Sequence, residues 1–223
     1  MKTSTLRLIP CLLFGLLVLS ACEKKDDTPP ILTILGDNPL LVTIGDQDYV
    51  DPGATAADET DGDLTSAIEK EVNVNVNLKG NNYTITYSAK DAAGNTGTAT
   101  RYVFVVNQTD YLAGTWNVTD NKIPPTGTPI QTTYQETIIA DDTLDNRFWV
   151  NRFGNNDNAR IYLDRVTATQ CQLPQQELTC GNPPALHRFF GSATILDTNQ
   201  IIINYTEIVG STTYSGSSTF VRR

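Results

Sequence analysis

Carboxylates are the most concentrated chemically active groups in this chain. Residues 31–69 contain nine acidic side chains and neither Lys nor Arg. Clustered carboxylates repel one another unless solvent or a cation screens them, and Ca²⁺ takes oxygen ligands from acid-rich loops. Turn chemistry is the alternative, because turns also require Asp and Gly and the EF-hand spacing is absent. Calcium is therefore the one candidate cofactor, with Asp58, Asp61, Asp63 and Asp91 as candidate ligands.

A second candidate site combines an aromatic ring with nearby amides. Phe148 and Trp149 are adjacent in a predicted strand, so their side chains point to opposite faces and one of them can face outward. An exposed ring suits stacking on a sugar, and amide groups suit its hydroxyls. Packing in the core is the alternative role for these aromatic residues. The candidate ligand-binding residues are Trp149, Asn155, Asn156 and Asp157.

Residues that could support catalysis are scarce. His187 is the only imidazole, and no nucleophile elbow lies near it. No glycine loop carries the lysine of a phosphate-binding site. Paired carboxylates for glycoside hydrolysis need only be close in space, so Glu136, Asp164 and Glu207 keep a hydrolase open as an alternative. We expect a protein that is not an enzyme.

The N-terminal residues predict export and a lipid anchor. Lys2 and Arg7 precede an apolar run that ends in small residues, which is the layout of a secretory signal. The run is too short to span a bilayer comfortably. Residues 19–22 resemble the bacterial lipobox, which implies removal of residues 1–21 and lipidation of Cys22. An ordinary signal peptide with an incidental cysteine is the alternative.

A charged tether is predicted at residues 22–30, because charged residues followed by Pro-Pro favour an extended spacer. Within it, residues 25–27 read Lys-Asp-Asp and resemble the export signal of Bacteroidetes-type surface lipoproteins. That resemblance implies a lipid-anchored position on the outer face of the outer membrane. A charged linker without an address is the alternative.

The exported location also bears on the two remaining cysteines, Cys171 and Cys180, which are nine positions apart. Disulfides persist in oxidising compartments and stabilise small loops. We therefore expect a Cys171–Cys180 disulfide that closes a hairpin or loop. Two free thiols are the alternative.

Short strands with a period of two predict that residues 31–107 form an antiparallel sandwich. Val72, Val74, Val76 and Leu78 alternate with asparagines in one such strand, and a turn at residues 79–82 predicts a hairpin with the next. Five motifs follow in order, namely Gly36-Asp37-Asn38-Pro39, residues 49–56, Asp61-Gly62-Asp63-Leu64-Thr65, residues 83–87 and residues 91–96. Together they resemble the bacterial Ig-like domain first described in insecticidal crystal proteins. The resemblance implies a spacer or adhesive module without catalytic activity.

Residues 110–223 are predicted to contain about eight strands and no convincing helix. Eight meandering strands can close into an up-and-down barrel, and a second sandwich is the alternative. Gly114-Thr115-Trp116 resembles the lipocalin opening, which implies an indole at the barrel base under Arg222 or Arg223. The predicted strands cover residues 115–119, 132–140, 147–152, 160–166, 177–180, 188–195, 201–206 and 218–222.

Overall charge limits the partners of this all-β chain. Its 25 acidic residues outnumber 16 Lys and Arg, for a net charge of -9, and no basic run is present. Nucleic acid is therefore disfavoured as a partner. We expect a lipid-anchored protein of the outer membrane and cell surface that binds an extracellular glycan or another ligand for nutrient uptake. A structural or adhesion module with a protein partner is the alternative.

Overall fold

Two small β-sheets form the N-terminal part of the protein. The computed structural model describes residues 25–223, so the predicted leader, Cys22 and the start of the tether lie outside the described residues. The strands are β1 (Ile31–Ile34), β2 (Leu40–Thr43), β3 (Ala54–Asp58), β4 (Gly62–Asp63), β5 (Glu69–Asn73), β6 (Gly80–Lys90) and β7 (Thr96–Val106). One sheet has the order β1-β3-β4, and the other has the order β2-β7-β6-β5.

Alternating side chains bury one face of the larger sheet. Ile85 and Tyr87 of β6 and Val103 and Val105 of β7 are almost fully buried. The residues between them are more exposed, as expected for strands with one wet face. The buried set also contacts Leu32 and other side chains of the smaller sheet. The predicted N-terminal β-sandwich is thus confirmed.

A buried arginine links strands and loops within this sandwich. Arg101 of β7 is fully buried, and its Nε lies 3.1 Å from Asp51 Oδ1. The Tyr87 hydroxyl donates to the same carboxylate oxygen at 2.5 Å. The guanidinium also donates to three main-chain carbonyl oxygens, those of Leu35, Asp37 and Gly53. Asp51 therefore has a structural reason to occupy its motif.

Two sequence expectations for the sandwich are wrong in part. Strand β2 runs parallel to β7, so the sandwich is not wholly antiparallel. The predicted hairpin is present, since β5 pairs with β6, but β5 ends at Asn73. Residues 74–79 form the connection instead of continuing the strand. Val76 is held in this connection because its carbonyl accepts a hydrogen bond from Gly45 N–H at 2.8 Å.

The edge strand β5 is polar along its whole length. All five of its residues, Glu69–Asn73, are exposed, and three consecutive ones carry charge. Strand β5 pairs only with β6 among the described strands, so its other edge is open. Charged side chains therefore line the longest-exposed edge of the larger sheet.

The remaining strands close into a barrel, as predicted, and not into a second sandwich. They are β8 (Gly114–Ile123), β9 (Ile130–Ala140), β10 (Arg147–Val150), β11 (Ile161–Arg165), β12 (Gln170–Cys180), β13 (Ala185–Asp197), β14 (Gln200–Val209) and β15 (Thr212–Arg222). Each strand pairs antiparallel with its neighbour in sequence, and β15 pairs with β8 to complete the ring. Each predicted strand of residues 110–223 overlaps one of these eight.

Large side chains fill the barrel interior. Phe148, Phe153, Phe189 and Phe220 are fully buried together with many aliphatic residues. An eight-stranded barrel has an interior just wide enough for such filling. The inward positions of this barrel therefore form a packed core.

A tryptophan and an arginine close one end of the barrel. Trp116 is fully buried and donates its indole N–H to Leu112 O at 2.9 Å. The Arg222 guanidinium carbon lies 4.6 Å from the centroid of the Trp116 ring, and its nitrogens donate to the Tyr111 and Ala113 carbonyls. The contact predicted from the Gly-x-Trp opening is therefore present, with Arg222 as its cation. A lipocalin-like relationship stays a prediction.

The predicted disulfide between Cys171 and Cys180 is wrong. Both residues lie on one strand, β12, and both are buried free thiols. Nine residues of strand extend about 30 Å, whereas a disulfide requires Cα atoms about 4.4–6.8 Å apart. Burial raises the pKa of each thiol to about 11. The two cysteines therefore act as small apolar side chains at opposite ends of β12.

Helical structure among the described residues is confined to single turns. These 3-10 turns are Thr65–Ala67, Asp110–Leu112 and Phe153–Asn155. None of the helices in residues 25–223 has the length and apolar character needed to cross a membrane.

The junction between sandwich and barrel is rich in hydrogen bonds. Asn107 is 2% exposed, and its side-chain amide donates to the carbonyls of Asp141, Leu144 and Arg147. The Thr109 hydroxyl donates to the Arg147 carbonyl at 2.9 Å. In addition, Lys79 N–H donates to Asp142 O at 2.8 Å. These bonds hold the β9–β10 connection against the end of the sandwich.

Candidate ligand-binding site

Trp149 lies on the outer wall of the barrel. Its neighbours on β10, Phe148 and Val150, are fully buried, whereas Trp149 is partly exposed. The strand register places Ile139 of β9 and Tyr162 of β11 on either side of it. Trp149 is thus the outward member of the Phe148–Trp149 pair.

Three groups fix the Trp149 ring in place. Its indole N–H donates to Asp141 Oδ2 at 2.7 Å. Tyr162 meets it edge to face, with 5.4 Å between ring centroids. The Arg160 guanidinium carbon lies 4.4 Å from the centroid of the Trp149 ring. Such stacked cations are held by the ring quadrupole and are displaced more easily when they are exposed, as Arg160 is.

A recess of about 240 Å³ opens beside this ring. Burial raises the pKa of Asp141, but hydrogen bonds from Thr143 N–H, Trp149 and Leu144 N–H outweigh it and hold that pKa below its usual value. The carboxylate is therefore ionised and oriented. The recess is lined by Ile139, Ala140, Asp141, Asp142, Thr143, Trp149 and Arg160. It offers one aromatic surface, one free cation and several oxygen acceptors.

The structure separates Trp149 from the amide residues predicted to act with it. Asn155, Asn156 and Asp157 belong to a loop that inserts Phe153 into the barrel core, where Phe153 meets Tyr205 with centroids 4.7 Å apart. None of these three residues lines the Trp149 recess. The loop therefore covers one part of the barrel, and the recess lies on its wall.

The amides and acid of this loop have partners of their own. The Asn156 amide donates to Glu207 Oε1 at 3.3 Å. The Asp157 carboxylate lies 3.6 Å from Arg152 Nε, and the Asn155 carbonyl oxygen of its side chain accepts from Arg152 at 3.0 Å. These contacts assign the loop to holding the barrel closed.

A buried charged cluster lies beneath that loop. Glu207 of β14 is fully buried, with Lys122 Nζ 2.5 Å from its Oε2. His187 Nδ1 lies 2.5 Å from its Oε1. The cluster thus combines an acid with two groups able to carry positive charge, which compensates the cost of burying the carboxylate.

A second buried carboxylate belongs to the same region. Asp120 of β8 is 1% exposed and accepts hydrogen bonds from the Tyr205 hydroxyl at 2.9 Å and the Ser218 hydroxyl at 2.5 Å. Burial raises the pKa of Asp120 in spite of these hydrogen bonds. Burial also raises the pKa of Tyr205. These groups therefore stay neutral more readily than their exposed counterparts.

The three carboxylates considered for hydrolysis each have separate partners. Glu136 accepts hydrogen bonds from the main-chain N–H groups of Thr137, Asn151 and Arg152. Asp164 accepts two from Arg147, at 2.7 and 2.9 Å. Glu207 is bound by Lys122 and His187, as described above. None of these three contacts joins two of the carboxylates.

The acid-rich loops of the sandwich bring two predicted calcium ligands together. Single carboxylate oxygens of Asp58, Asp61 and Asp26 lie within 4.8 Å of one another. Asp26 was not among the predicted ligands. One oxygen each of Asp26 and Asp58 is shielded from solvent and lacks a hydrogen-bond partner in the described part of the chain.

The other two predicted calcium ligands serve their own turns. Hydrogen bonds from Thr65 lower the pKa of Asp63. Asp91 accepts from Gly94 N–H and Asn95 N–H at 2.6 and 2.7 Å. Burial raises the pKa of Asp91, but hydrogen bonds led by the Asn95 amide lower it overall. Turn chemistry thus accounts for these two residues, and the calcium site stays a prediction.

Sequence reasoning missed two important groups of the wall recess, Asp141 and Arg160. Asp141 begins the connection after β9, and Arg160 immediately precedes β11, so both flank Trp149 only once the three strands are paired. A signal was available, because in a three-stranded meander the ends of neighbouring strands lie beside the middle one.

Comparison with known proteins identifies the N-terminal region. Residues 32–105 match the family of bacterial surface protein Ig-like domains. The match covers the sandwich and agrees with its seven strands. No curated protein matches the chain significantly.

Three solved structures resemble the fold at low similarity. A lipoprotein from Bacteroides thetaiotaomicron is 19% identical, with a TM-score of 0.34, over 85% of this chain and 98% of that one. A DUF3598-family protein of unknown function from Nostoc punctiforme is 13% identical, with a TM-score of 0.31, over 70% and 66%. The Clostridium perfringens ZmpB structure of CBM51-2 with GlcNAc and INT domains is 13% identical, with a TM-score of 0.30, over 86% and 43%.

Proposed function

We propose that this protein is a lipid-anchored bacterial surface lipoprotein that binds an extracellular glycan on the outer wall of its barrel. The family match at residues 32–105 supports the surface location. The lipobox-like residues 19–22 support the anchor, and Lys25-Asp26-Asp27 supports the outer face of the outer membrane. In this proposal the Ig-like domain raises the barrel above the membrane, where a captured glycan would serve nutrient uptake.

The observation that carries the glycan proposal is the recess beside Trp149. Sugar sites combine an apolar surface with a few well-placed polar groups. Here the partly exposed indole supplies the surface, and the oriented Asp141 carboxylate supplies acceptors. Arg160 carries five N–H donors, and it forms no ion pair among the described residues. A sugar that reaches the ring can therefore displace or contact this exposed guanidinium.

Binding without catalysis fits the same contacts. Glu136, Asp164 and Glu207 each hold main-chain or cationic partners, which supports a binding role over glycoside hydrolysis. The bell-shaped pH profile of a carboxylate pair is therefore not expected. Absence of reducing-end release from any glycan that binds would agree with this proposal, whereas turnover of that glycan would contradict it.

A glycan array tests the binding function directly. The chain from residue 22 onward, carrying Cys22→Ser, keeps Asp26 and its contacts while removing the lipid attachment point. Trp149→Ala should weaken binding at least about tenfold, equivalent to 1.4 kcal/mol. Phe190→Ala is the matched control, since Phe190 is an outward aromatic residue on the barrel wall, 36% exposed, and does not line the recess. Binding that survives Trp149→Ala would refute the site, and an array without any binding would refute the glycan.

The anchor is tested separately in cells. Cys22→Ser should move the full-length protein from the membrane fraction to the soluble fraction. Protease added to intact cells should remove the wild-type protein if it lies on the outer face. Retention of the Cys22→Ser protein in membranes would contradict lipid anchoring, and protection from protease would contradict surface exposure.

A protein partner is the second candidate, favoured by one observation. Leu41 of β2 and Tyr102 of β7 are 65% and 53% exposed, and they share the outer face of the larger sheet. Exposed apolar groups that lie together mark interaction surfaces. An array without binding, combined with loss of cell adhesion to a protein-coated surface in Leu41→Asp, would favour this adhesion function.

A further inference from the structure

The Trp149 recess adjoins a second recess at the junction of barrel and sandwich. This second recess has a volume of about 410 Å³ and is lined by Leu78, Lys79, Gly80, Asn81, Phe104, Val105, Val106 and Asp142. Asp142 lines both recesses, so they meet at this residue. The two recesses therefore lie end to end across the domain junction.

The two walls of this continuous surface are held together. Lys79 N–H donates to Asp142 O at 2.8 Å, which joins the sandwich to the residue shared by both recesses. Asn107 and Thr109 bind the carbonyl groups of the β9–β10 connection from the other side. Side chains from both domains can therefore contact one ligand without a conformational search, and such preorganisation lowers the entropic cost of binding.

The composition of the combined surface suits a chain of sugars. Trp149 lies at one end, half-buried Phe104 at the other, and the exposed polar residues Asn81 and Asp142 lie between them. The Trp149 recess alone, at 240 Å³, is smaller than typical ligand sites of about 300–1,000 Å³, whereas both recesses together fall within that range. One sugar unit would leave most of this surface empty.

We infer that the two recesses form one groove, and that its ligand is a linear oligosaccharide whose far end contacts the Ig-like domain at Phe104. This inference rests on the proposed glycan binding at Trp149 and adds a second contact region to it. The Ig-like domain is then part of the binding site as well as a spacer.

Linear oligosaccharides of one to six units, in neutral and uronic-acid series, test this inference by calorimetry on the chain from residue 22 carrying Cys22→Ser. Wild-type affinity should rise at least about tenfold from the shortest to the longest member of the series that binds. Phe104→Ala should abolish that rise and leave the shortest ligand unaffected. Trp149→Ala should weaken every length.

Matched variants protect the interpretation. Tyr102→Ala removes an exposed aromatic residue from the same face of the same strand, two positions from Phe104, and lines neither recess. It should keep the dependence on length. Asn81→Ala tests the same end of the groove in a connection, where loss of folding is not expected, and it should reduce the rise.

The outcomes separate the groove from the binding function. Trp149-dependent binding that is independent of length, or a rise that survives both Phe104→Ala and Asn81→Ala, would overturn the groove and leave the proposed function standing. No binding by the wild-type protein to any member of either series would overturn both.

Discussion

Asp51→Asn should destabilise the Ig-like domain by leaving Arg101 without its counter-charge. The Arg101 side chain is fully buried, and that of Asp51 is 8% exposed. Removing one partner of a buried ion pair costs about 3–5 kcal/mol. The guanidinium keeps its hydrogen bonds to main-chain carbonyls, so we expect the lower end of this range, about 3 kcal/mol. This is roughly a hundredfold change in the unfolding equilibrium constant.

Hydrogen exchange resolves this effect from any change in the barrel. Both tryptophans of the chain, Trp116 and Trp149, lie in barrel strands, so their fluorescence reports on the barrel and serves as an internal reference. Amide protection in β6 and β7 should fall roughly a hundredfold in Asp51→Asn. The urea midpoint measured by tryptophan fluorescence should be unchanged. Asp48→Asn is the control, because Asp48 is an exposed aspartate in the same connection.

The pH dependence supplies a stricter test of the same reasoning. Burial raises the pKa of Asp51, but hydrogen bonds led by Tyr87 outweigh it, so the pKa lies below its ordinary value of 3.8. A lowered pKa in the folded state gives stability that is present above about pH 4 and is lost as pH falls through the folded-state pKa. The difference between wild type and Asp51→Asn should therefore be full at pH 7 and shrink below pH 4. A difference that is the same at pH 3 and pH 7, or unchanged protection at pH 7, would refute the charge-compensation argument.

Three further predictions concern metal, pH and thiols. Millimolar Ca²⁺ should increase the stability of the Ig-like domain in a saturable way that Asp58→Asn abolishes and Asp63→Asn preserves; no change with Ca²⁺ by calorimetry would remove the metal. Because burial raises the pKa of Asp120, its favourable contribution is complete below about pH 4 and is lost as pH rises through the folded-state pKa, so Asp120→Asn should gain melting temperature relative to wild type between pH 4 and 7. A constant difference across that range would contradict it. Cys171 and Cys180 should react with alkylating reagents only after denaturation, and intact mass should not change with reductant.

The barrel could be predicted from sequence because its strands announce themselves locally. Inward and outward residues alternate in β10 and β14, and Gly-rich or Asn-rich turns separate the strands. The Trp116–Arg222 contact was also predictable, since a short motif placed the indole at the start of the barrel and the cation at its last strand. Local pattern and closure of the meander were sufficient for these features.

The failures share a different cause, which is that spacing does not encode path. Nine residues between Cys171 and Cys180 are compatible with a hairpin or with one continuous strand, and the chain takes the strand. Pro174 suggested a break, but it lies at an irregularity between Leu173 and Gln176, where the register shifts and the missing N–H is tolerated. The parallel direction of β2 is likewise invisible in its alternation, because parallel and antiparallel strands share a period of two.

The candidate site was only partly predictable for the same reason. Trp149 was found from its strand, whereas Asp141 and Arg160 became its neighbours through pairing of three strands. Asn155–Asp157 looked suitable by composition, yet the burial of Phe153 draws their loop over the barrel core. Tertiary packing decided which polar residues meet the ring.

The way the strands end has a consequence for copies of this protein that are crowded together. Open strand edges are the usual route to polymerisation, because they can pair with another chain. The barrel strands close on themselves, the outer strands β1, β2 and β4 are only two to four residues long, and β5 carries Glu69, Lys70 and Glu71. Neighbouring copies therefore find no long apolar edge to extend, and a dense layer of this protein is expected to stay unaggregated.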